Sequence, residues 1–139
     1  FIPLFDCNTY VYVWKKNPIA SKSSVSLQEL EKYPCLTFDQ GKTNSFYFAE
    51  EVFSTYEYKQ TIQVDDRASM LNLMVGLNGY TLCSGIICEE LNGSDYAAVP
   101  LKETEVMTIG YVKRKSIQLS ELAQLYVNEL AKYKNLVLK

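Results

Sequence analysis

The six residues Thr9-Tyr10-Val11-Tyr12-Val13-Trp14 are all aromatic or β-branched, with no polar residue on alternate positions. A strand that faces water on one side alternates apolar with polar; a run without alternation belongs to a strand covered on both faces. The segment therefore predicts a central strand in a sheet with other layers packed above and below it. Lys15, Lys16, Asn17 and Pro18 end the strand, because proline cannot donate to a ladder and asparagine favours turns.

The remaining chain supplies the covering layers. Ser26-Leu27-Gln28-Glu29 has the form of a capping box, which predicts a short helix over Leu27 to Lys32 that stops at Pro34. Cys35 to Phe38 reads as a strand, 39–45 as a polar loop and 46–56 as a helix. Gln60 to Val64 is a further strand, and Asp65 or Asp66 caps a helix from about Arg67 to Leu77. That helix closes on Asn78-Gly79, where Gly79 is expected in the left-handed conformation. Strands are predicted at Tyr80 to Cys83, Tyr96 to Leu101 and Val106 to Lys113, with a short helical segment ending at Leu91. A last helix from about Leu119 to Tyr133 has apolar residues at helical spacing. Strands and helices alternate almost throughout, which predicts an α/β fold with a mainly parallel sheet.

Charge and cysteine content narrow the function. The 14 Lys+Arg against 16 Asp+Glu give a formal charge of −2, and only Arg67 and Arg114 are arginines, so no basic face of the kind needed to hold DNA is present. There is no histidine, which removes imidazole acid–base chemistry and histidine-ligated zinc. No nucleophile elbow, HExxH or phosphate loop occurs, and Glu50-Glu51 and Glu89-Glu90 are adjacent pairs of the kind found on solvated helix faces. An enzyme is not expected, nor a metal or cofactor. Cys7, Cys35, Cys83 and Cys88 are widely spaced without a CxxC pair, which suits small core residues in a reducing cytoplasm. The 21 uncharged residues between Arg67 and Glu89 approach the length of a membrane span, but Asn72, Asn78, Ser69, Ser84, Thr81 and three glycines interrupt them. They are read as a buried helix, turn and strand.

Two proline-marked extended segments, Pro3 to Asp6 and Pro100 to Glu103, flank a block of about a hundred residues. The expected division is 1–103 and 104–139. A strand and one amphipathic helix cannot bury both their faces, so 104–139 is expected to belong to a second domain whose remainder is absent. The chain opens on Phe1, which is expected of a cut or processed protein.

In order along the chain stand Lys16-Asn17-Pro18-Ile19-Ala20, Ser26-Leu27-Gln28-Glu29-Leu30, Tyr33-Pro34-Cys35-Leu36 and Leu73-Met74-Val75-Gly76-Leu77-Asn78-Gly79-Tyr80-Thr81-Leu82-Cys83. Val99-Pro100-Leu101, Met107 to Lys113 and Leu119-Ser120 to Leu130 follow. This succession resembles the C-terminal part of the effector-binding region of LysR-type transcriptional regulators. Asn17 stands where the family usually has histidine, the first glycine of its G-x-G is displaced to Gly76, and no proline follows Cys83. The resemblance implies a periplasmic-binding-protein-like (type 2) effector domain, with 1–103 as subdomain II and 104–139 as the strand and helix returning to subdomain I. It also implies a cytoplasmic regulator that binds a small-molecule effector between its subdomains, assembles as a homo-oligomer, has no membrane contact, and touches DNA only through an N-terminal domain not present here. A transport-type solute-binding protein of the same two-lobed plan is the alternative.

The resemblance also points to candidate effector-binding residues: Asp39, Thr43, Asn44, Ser45 and Phe46 in the loop after the second strand, and Val64 with Arg67 at the start of the following helix. Strand C-termini and helix N-termini present unpaired N–H groups to such ligands. Structural alternatives stand beside these. Thr43, Asn44 or Ser45 can simply cap a helix, Asp39 can make an Asx-turn, and Arg67 can pair with Asp65 or Asp66. Tyr10, Tyr12, Phe46 and Phe53 are read as core rather than as a binding cage, because burying one aromatic contributes roughly 2–3 kcal/mol.

Overall fold

A computed structural model describes residues 1–39, 57–103 and 105–132. The chain divides into two compact units, one of residues 8–105 and the other of Phe1–Cys7 with 106–139.

In the larger unit, β2 (Tyr10–Trp14), β3 (Cys35–Phe38), β4 (Thr61–Val64), β5 (Tyr80–Cys83) and β6 (Tyr96–Pro100) form a five-stranded sheet in the order β4-β3-β5-β2-β6. β3 runs parallel to β4 and β5, while β2 runs antiparallel to β5 and β6. Four strands thus share one direction and β2 alone opposes them, so the sheet is mixed, with two parallel and two antiparallel neighbouring pairs. The run at 9–14 is interior as its composition requires. Val11 and Val13 are fully buried on one face with Ile19, Val25, Leu27 and Leu30. Tyr12, one residue out of phase, enters the opposite core layer with Leu36, Val64, Met70 and Met74. Thr9 lies just outside the strand, buried, and its hydroxyl donates to the Glu105 carbonyl at 2.9 Å.

Local chemistry explains the elements that cover the sheet. The helix α1 (Leu27–Leu30) is one turn long, too short to persist unaided. Its capping box forms as predicted: Ser26 Oγ accepts from the Glu29 amide, and the Glu29 carboxylate accepts from the Ser26 amide at 2.9 Å. Leu27 and Leu30 anchor the turn in the core. Asp66 is the cap of α2 (Arg67–Gly76), its carboxylate accepting from the Ser69 amide at 2.9 Å, and Met70 and Met74 turn one helical stripe onto β2 and β3.

The close of α2 differs from expectation. Asn78, not Gly79, takes the left-handed conformation, at φ 55°. Asparagine tolerates it, and the Asn17 side chain secures the turn by donating to the Asn78 carbonyl at 3.0 Å. Gly79 is required for a different reason: a Cβ there would stand 3.0 Å from the Pro34 carbonyl oxygen and 3.3 Å from the Leu36 side chain. The uncharged stretch after Arg67 resolves into α2, this turn and β5, and among the described residues no helix is long and apolar enough to cross a membrane. The expected loop at 40–45 and helix at 46–56 lie outside the described residues.

The smaller unit pairs β1 (Ile2–Asn8) with β7 (Val106–Tyr111) and carries the last described helix, α4 (Glu121–Lys132). The Thr108 hydroxyl donates to Asp6 Oδ1 at 2.7 Å, and the Cys7 thiol lies 3.5 Å from the Met107 carbonyl oxygen. The first seven residues therefore belong with the C-terminal segment and not with the block to residue 103, where the sequence reading put them. Pro3 marks an extended segment, and in a two-stranded sheet every strand is an edge, so a missing donor does not break a central ladder.

Candidate functional site

The connection from β3 leads outward to β4, and the connection from β4 returns across β3 to β5. The chain therefore changes its direction of travel across the sheet between β3 and β5. In open α/β sheets the carboxyl ends of strands at such a reversal leave a crevice in which ligands bind. Here the two strands pair only through Cys35 and Tyr80. Beyond that pair, Leu36 to Phe38 and Thr81 to Cys83 form two walls of a cavity of about 270 Å³. Tyr12 adds to it from β2, Arg67, Met70 and Leu71 from α2, and Ile86, Ile87, Cys88, Leu91 and Asn92 from the segment running into α3 (Glu89–Asn92).

Arg67 is the one charged side chain lining this cavity among the described residues. It sits at the first helical position of α2, where the positive end of the helix dipole disfavours a cation by a few tenths of a kcal/mol. The ion pair with Asp65 or Asp66 considered for it does not form among the described residues. Asp66 is occupied as the helix cap, and its hydrogen bonds from Ser69 hold its carboxyl below the usual value. The guanidinium instead makes one long contact, Nη1 to Asn92 Oδ1 at 3.5 Å. Asn92 is committed on its other side, Nδ2 donating to the Cys88 carbonyl at 3.0 Å.

Three hydroxyl-bearing side chains besides Tyr12, those of Thr37, Tyr58 and Thr81, also line the cavity, and Tyr12 is the most deeply buried of them. Tyr12 is only 6% exposed, and its buried hydroxyl has no hydrogen-bond partner among the described residues. Leaving a buried hydroxyl unpaired costs roughly 1–3 kcal/mol. Burial pushes the phenol's pKa up, and the nearby Arg67 charge opposes that rise. The ring stacks on Tyr96 at 5.4 Å between centroids, and Tyr96 is held in turn by its hydroxyl donating to the Leu71 carbonyl at 3.3 Å. Tyr12 is thus both core, as read from sequence, and cavity wall.

Two cysteines, Cys83 and Cys88, also face the cavity. Cys83 Sγ accepts from the Gly85 amide at 3.3 Å, and the exposed Cys88 thiol donates to Glu90 Oε2 at 3.2 Å; the hydrogen bond from its own backbone amide, first, and that from Cys88 hold the Glu90 carboxyl below its ordinary pKa. Among the described residues no group of three or more His, Cys, Asp and Glu side chains is arranged to hold a metal.

Of the candidate residues from sequence, Arg67 lines the crevice. Asp39 directly follows β3, its amide donating to the Val64 carbonyl at 2.8 Å and extending the β3–β4 ladder. Val64 turns its side chain into the core against α2, not into the cavity lining. Thr43, Asn44, Ser45 and Phe46 lie outside the described residues. Sequence reasoning missed Tyr12, Thr81, Cys83 and Asn92, which converge only once strand order is known. The one signal available was a polar-tipped tyrosine inside an otherwise apolar strand.

The LysR substrate binding domain model matches residues 1–134. The chain belongs to this family. Its fold is the periplasmic-binding-protein-like type 2 fold of LysR effector domains, and solved structures agree. The PA01 protein of Pseudomonas aeruginosa, a LysR family regulator, superimposes with a TM-score of 0.66 at 18% identity, over 96% of this chain and 48% of its own. HinK, a LysR family regulator from the same organism, gives 0.66 at 19% identity, over 95% of this chain and 46% of its own. The effector binding domain of QuiR in complex with shikimate gives 0.63 at 19% identity, over 97% of this chain and 65% of its own. The chain thus spans about half the length of the two full regulators. A search of curated proteins gives no match. The family and these neighbours are transcriptional regulators rather than enzymes or transport proteins.

Proposed function

We propose that this chain is the effector-sensing part of a LysR-type transcriptional regulator, with residues 8–105 as subdomain II and Phe1–Cys7 with 106–139 as elements of subdomain I. The observation that carries the reading is the crevice at the β3–β5 strand reversal in a chain of this family. A small-molecule co-inducer enters there and is enclosed between the two subdomains of the complete regulator. Asp39, Val64 and Arg67 stand at or beside the crevice, and Thr43, Asn44, Ser45 and Phe46, which follow β3 in sequence, are proposed to complete it. QuiR's effector domain is a family precedent for a small organic ligand.

The domain reading is supported by the apolar surface of the smaller unit. In α4, Leu122 is 77%, Leu125 57% and Tyr126 65% exposed, and Val112 beyond β7 is 79% exposed. Such a stripe on one helix belongs against another layer, which the rest of subdomain I supplies. The effector acts by favouring one arrangement of subdomains or subunits over another, and so biases DNA-binding domains elsewhere in a cytoplasmic homo-oligomer.

The test is a titration of the full regulator with its inducing metabolite, followed by Cys88→Trp. Cys88 is exposed, so the indole can fill the crevice mouth without disturbing the core. Loss of binding with unchanged melting is expected. Unchanged affinity in that variant and in a Thr43→Ala/Ser45→Ala variant puts the effector elsewhere.

A further inference from the structure

Two asparagine–glycine pairs stand in the larger unit, Asn78-Gly79 after α2 and Asn92-Gly93 at the end of α3. This dipeptide is chemically unstable in water, because glycine has no Cβ to shield its amide nitrogen from the preceding side chain. The deprotonated glycine nitrogen attacks the asparagine Cγ, the Cγ–Nδ2 bond breaks, and ammonia leaves with the amide proton. Water then opens the five-membered succinimide. Attack at Cγ gives aspartate, and attack at the backbone carbonyl gives isoaspartate, whose chain runs through the former side chain. Neither an oxidant nor an enzyme is needed.

The fold holds the two pairs very differently. Gly79 is buried, and its amide donates to the Met74 carbonyl at 3.1 Å. Its neighbours Met74 and Tyr80 belong to the two core layers, and Asn17 secures the turn through the Asn78 carbonyl. Freeing the Gly79 amide therefore means opening the core. The turn α3 has no buried residue and no side-chain cap, and Gly93 at its end is exposed. The Gly93 amide donates to the Glu89 carbonyl at 2.8 Å, but one helical turn at the surface is too short to persist. Opening such a turn costs far less than opening a core.

We propose that Asn92 is a deamidation site of the folded protein, and that its product carboxylate pairs with Arg67 on the crevice wall. Asn92 Oδ1 already faces Arg67 Nη1 at 3.5 Å. Exchange of the amide for a carboxylate turns this long contact into a charge-assisted one. It neutralises the one charged side chain lining the cavity among the described residues. The exchange also removes Nδ2, whose donation to the Cys88 carbonyl at 3.0 Å ties α3 together, so the turn loosens as the charge is lost. The site stands whether or not the crevice is where an effector binds.

The experiment incubates the 139-residue chain at mildly alkaline pH, folded and in urea, and follows both asparagines by peptide mapping with mass spectrometry. In the folded chain, aspartate and isoaspartate are expected at position 92 at least roughly tenfold faster than at position 78. In urea the two rates are expected to converge, because the dipeptide is the same and the fold no longer separates them. Equal rates in the folded chain, or a faster reaction at Asn78, overturn the site. A preference for Asn92 as large in urea as in the folded chain overturns the structural account of it. The second arm is Asn92→Asp, read by NMR at the Arg67 side-chain Nε–H. A shift that disappears when the new carboxylate is protonated is expected, and an unmoved signal overturns the pairing with Arg67.

Discussion

Asn17 shows how much one side chain settles at the residue scale. It is 2% exposed, accepts from the Ile19 amide at 2.9 Å and donates to the Asn78 carbonyl at 3.0 Å, so one amide caps the 3-10 turn at Pro18–Ser21 and pins the end of α2. Asn17→Ala strands two backbone groups at once and is expected to lower stability by roughly 2 kcal/mol in urea denaturation. Glu29 makes the residue-scale prediction for pH. Hydrogen bonds from Lys22, first, and from Ser26 and Lys102 hold its carboxyl far below the ordinary value of 4.5. A depressed folded-state pKa contributes stability that is complete above the unfolded value and is lost as pH falls toward the folded one. The side chain is about one-third exposed, so solvent screens its ion pairs. Glu29→Gln is therefore expected to flatten the acid limb of a plot of Tm against pH between about 5 and 2, with a small change at neutral pH.

At the scale of elements, two glycines in regular structure have opposite meanings. Gly110 lies in β7, where a Cβ would stand 2.3 Å from the Ile2 carbonyl oxygen and 2.6 Å from the Phe1 ring. Gly110→Ala is expected to separate β1 from β7, seen as lost hydrogen-exchange protection confined to these strands. Gly76 is the last residue of α2, with nothing within 4 Å of the added carbon. Gly76→Ala is expected to raise stability by about 0.5–1 kcal/mol through lower unfolded-state entropy. Elements with strong local chemistry were legible beforehand: the Ser26–Glu29 box, the Asp66 cap and the strand at 35–38 all form where the residues predict. β1 was not. Its residues look like a linker because the strand that completes it, β7, is about a hundred positions away.

The whole molecule is uneven in how well its parts are buried. The larger unit has two core layers on one sheet, while the smaller has a two-stranded sheet and a helix whose residues are mostly exposed. A two-stranded sheet without a full apolar layer is marginal in water. Amide exchange at Val11, Val13 and Leu36 is therefore expected to be at least roughly a hundredfold slower than in β1, β7 and α4, because local openings follow burial. Equal protection in both units would show that the smaller one is stable by itself and needs no further layer.

Composition, periodicity and capping determined the α/β class, the interior strand at 9–14, the span of α2 and the improbability of imidazole or DNA-binding chemistry, because each depends on neighbours a few positions apart. Tertiary structure decided the rest. The opposed direction of β2, the partnership of the first seven residues with the C-terminal strand, and the meeting of Tyr12, Arg67, Thr81, Cys83 and Asn92 around one crevice depend on strand order. Strand order follows from the packing energy of the entire sheet and is written in no local pattern. For the same reason Arg67 could be singled out in sequence, while its lack of a carboxylate partner among the described residues emerged only when Asp66 was found capping the helix.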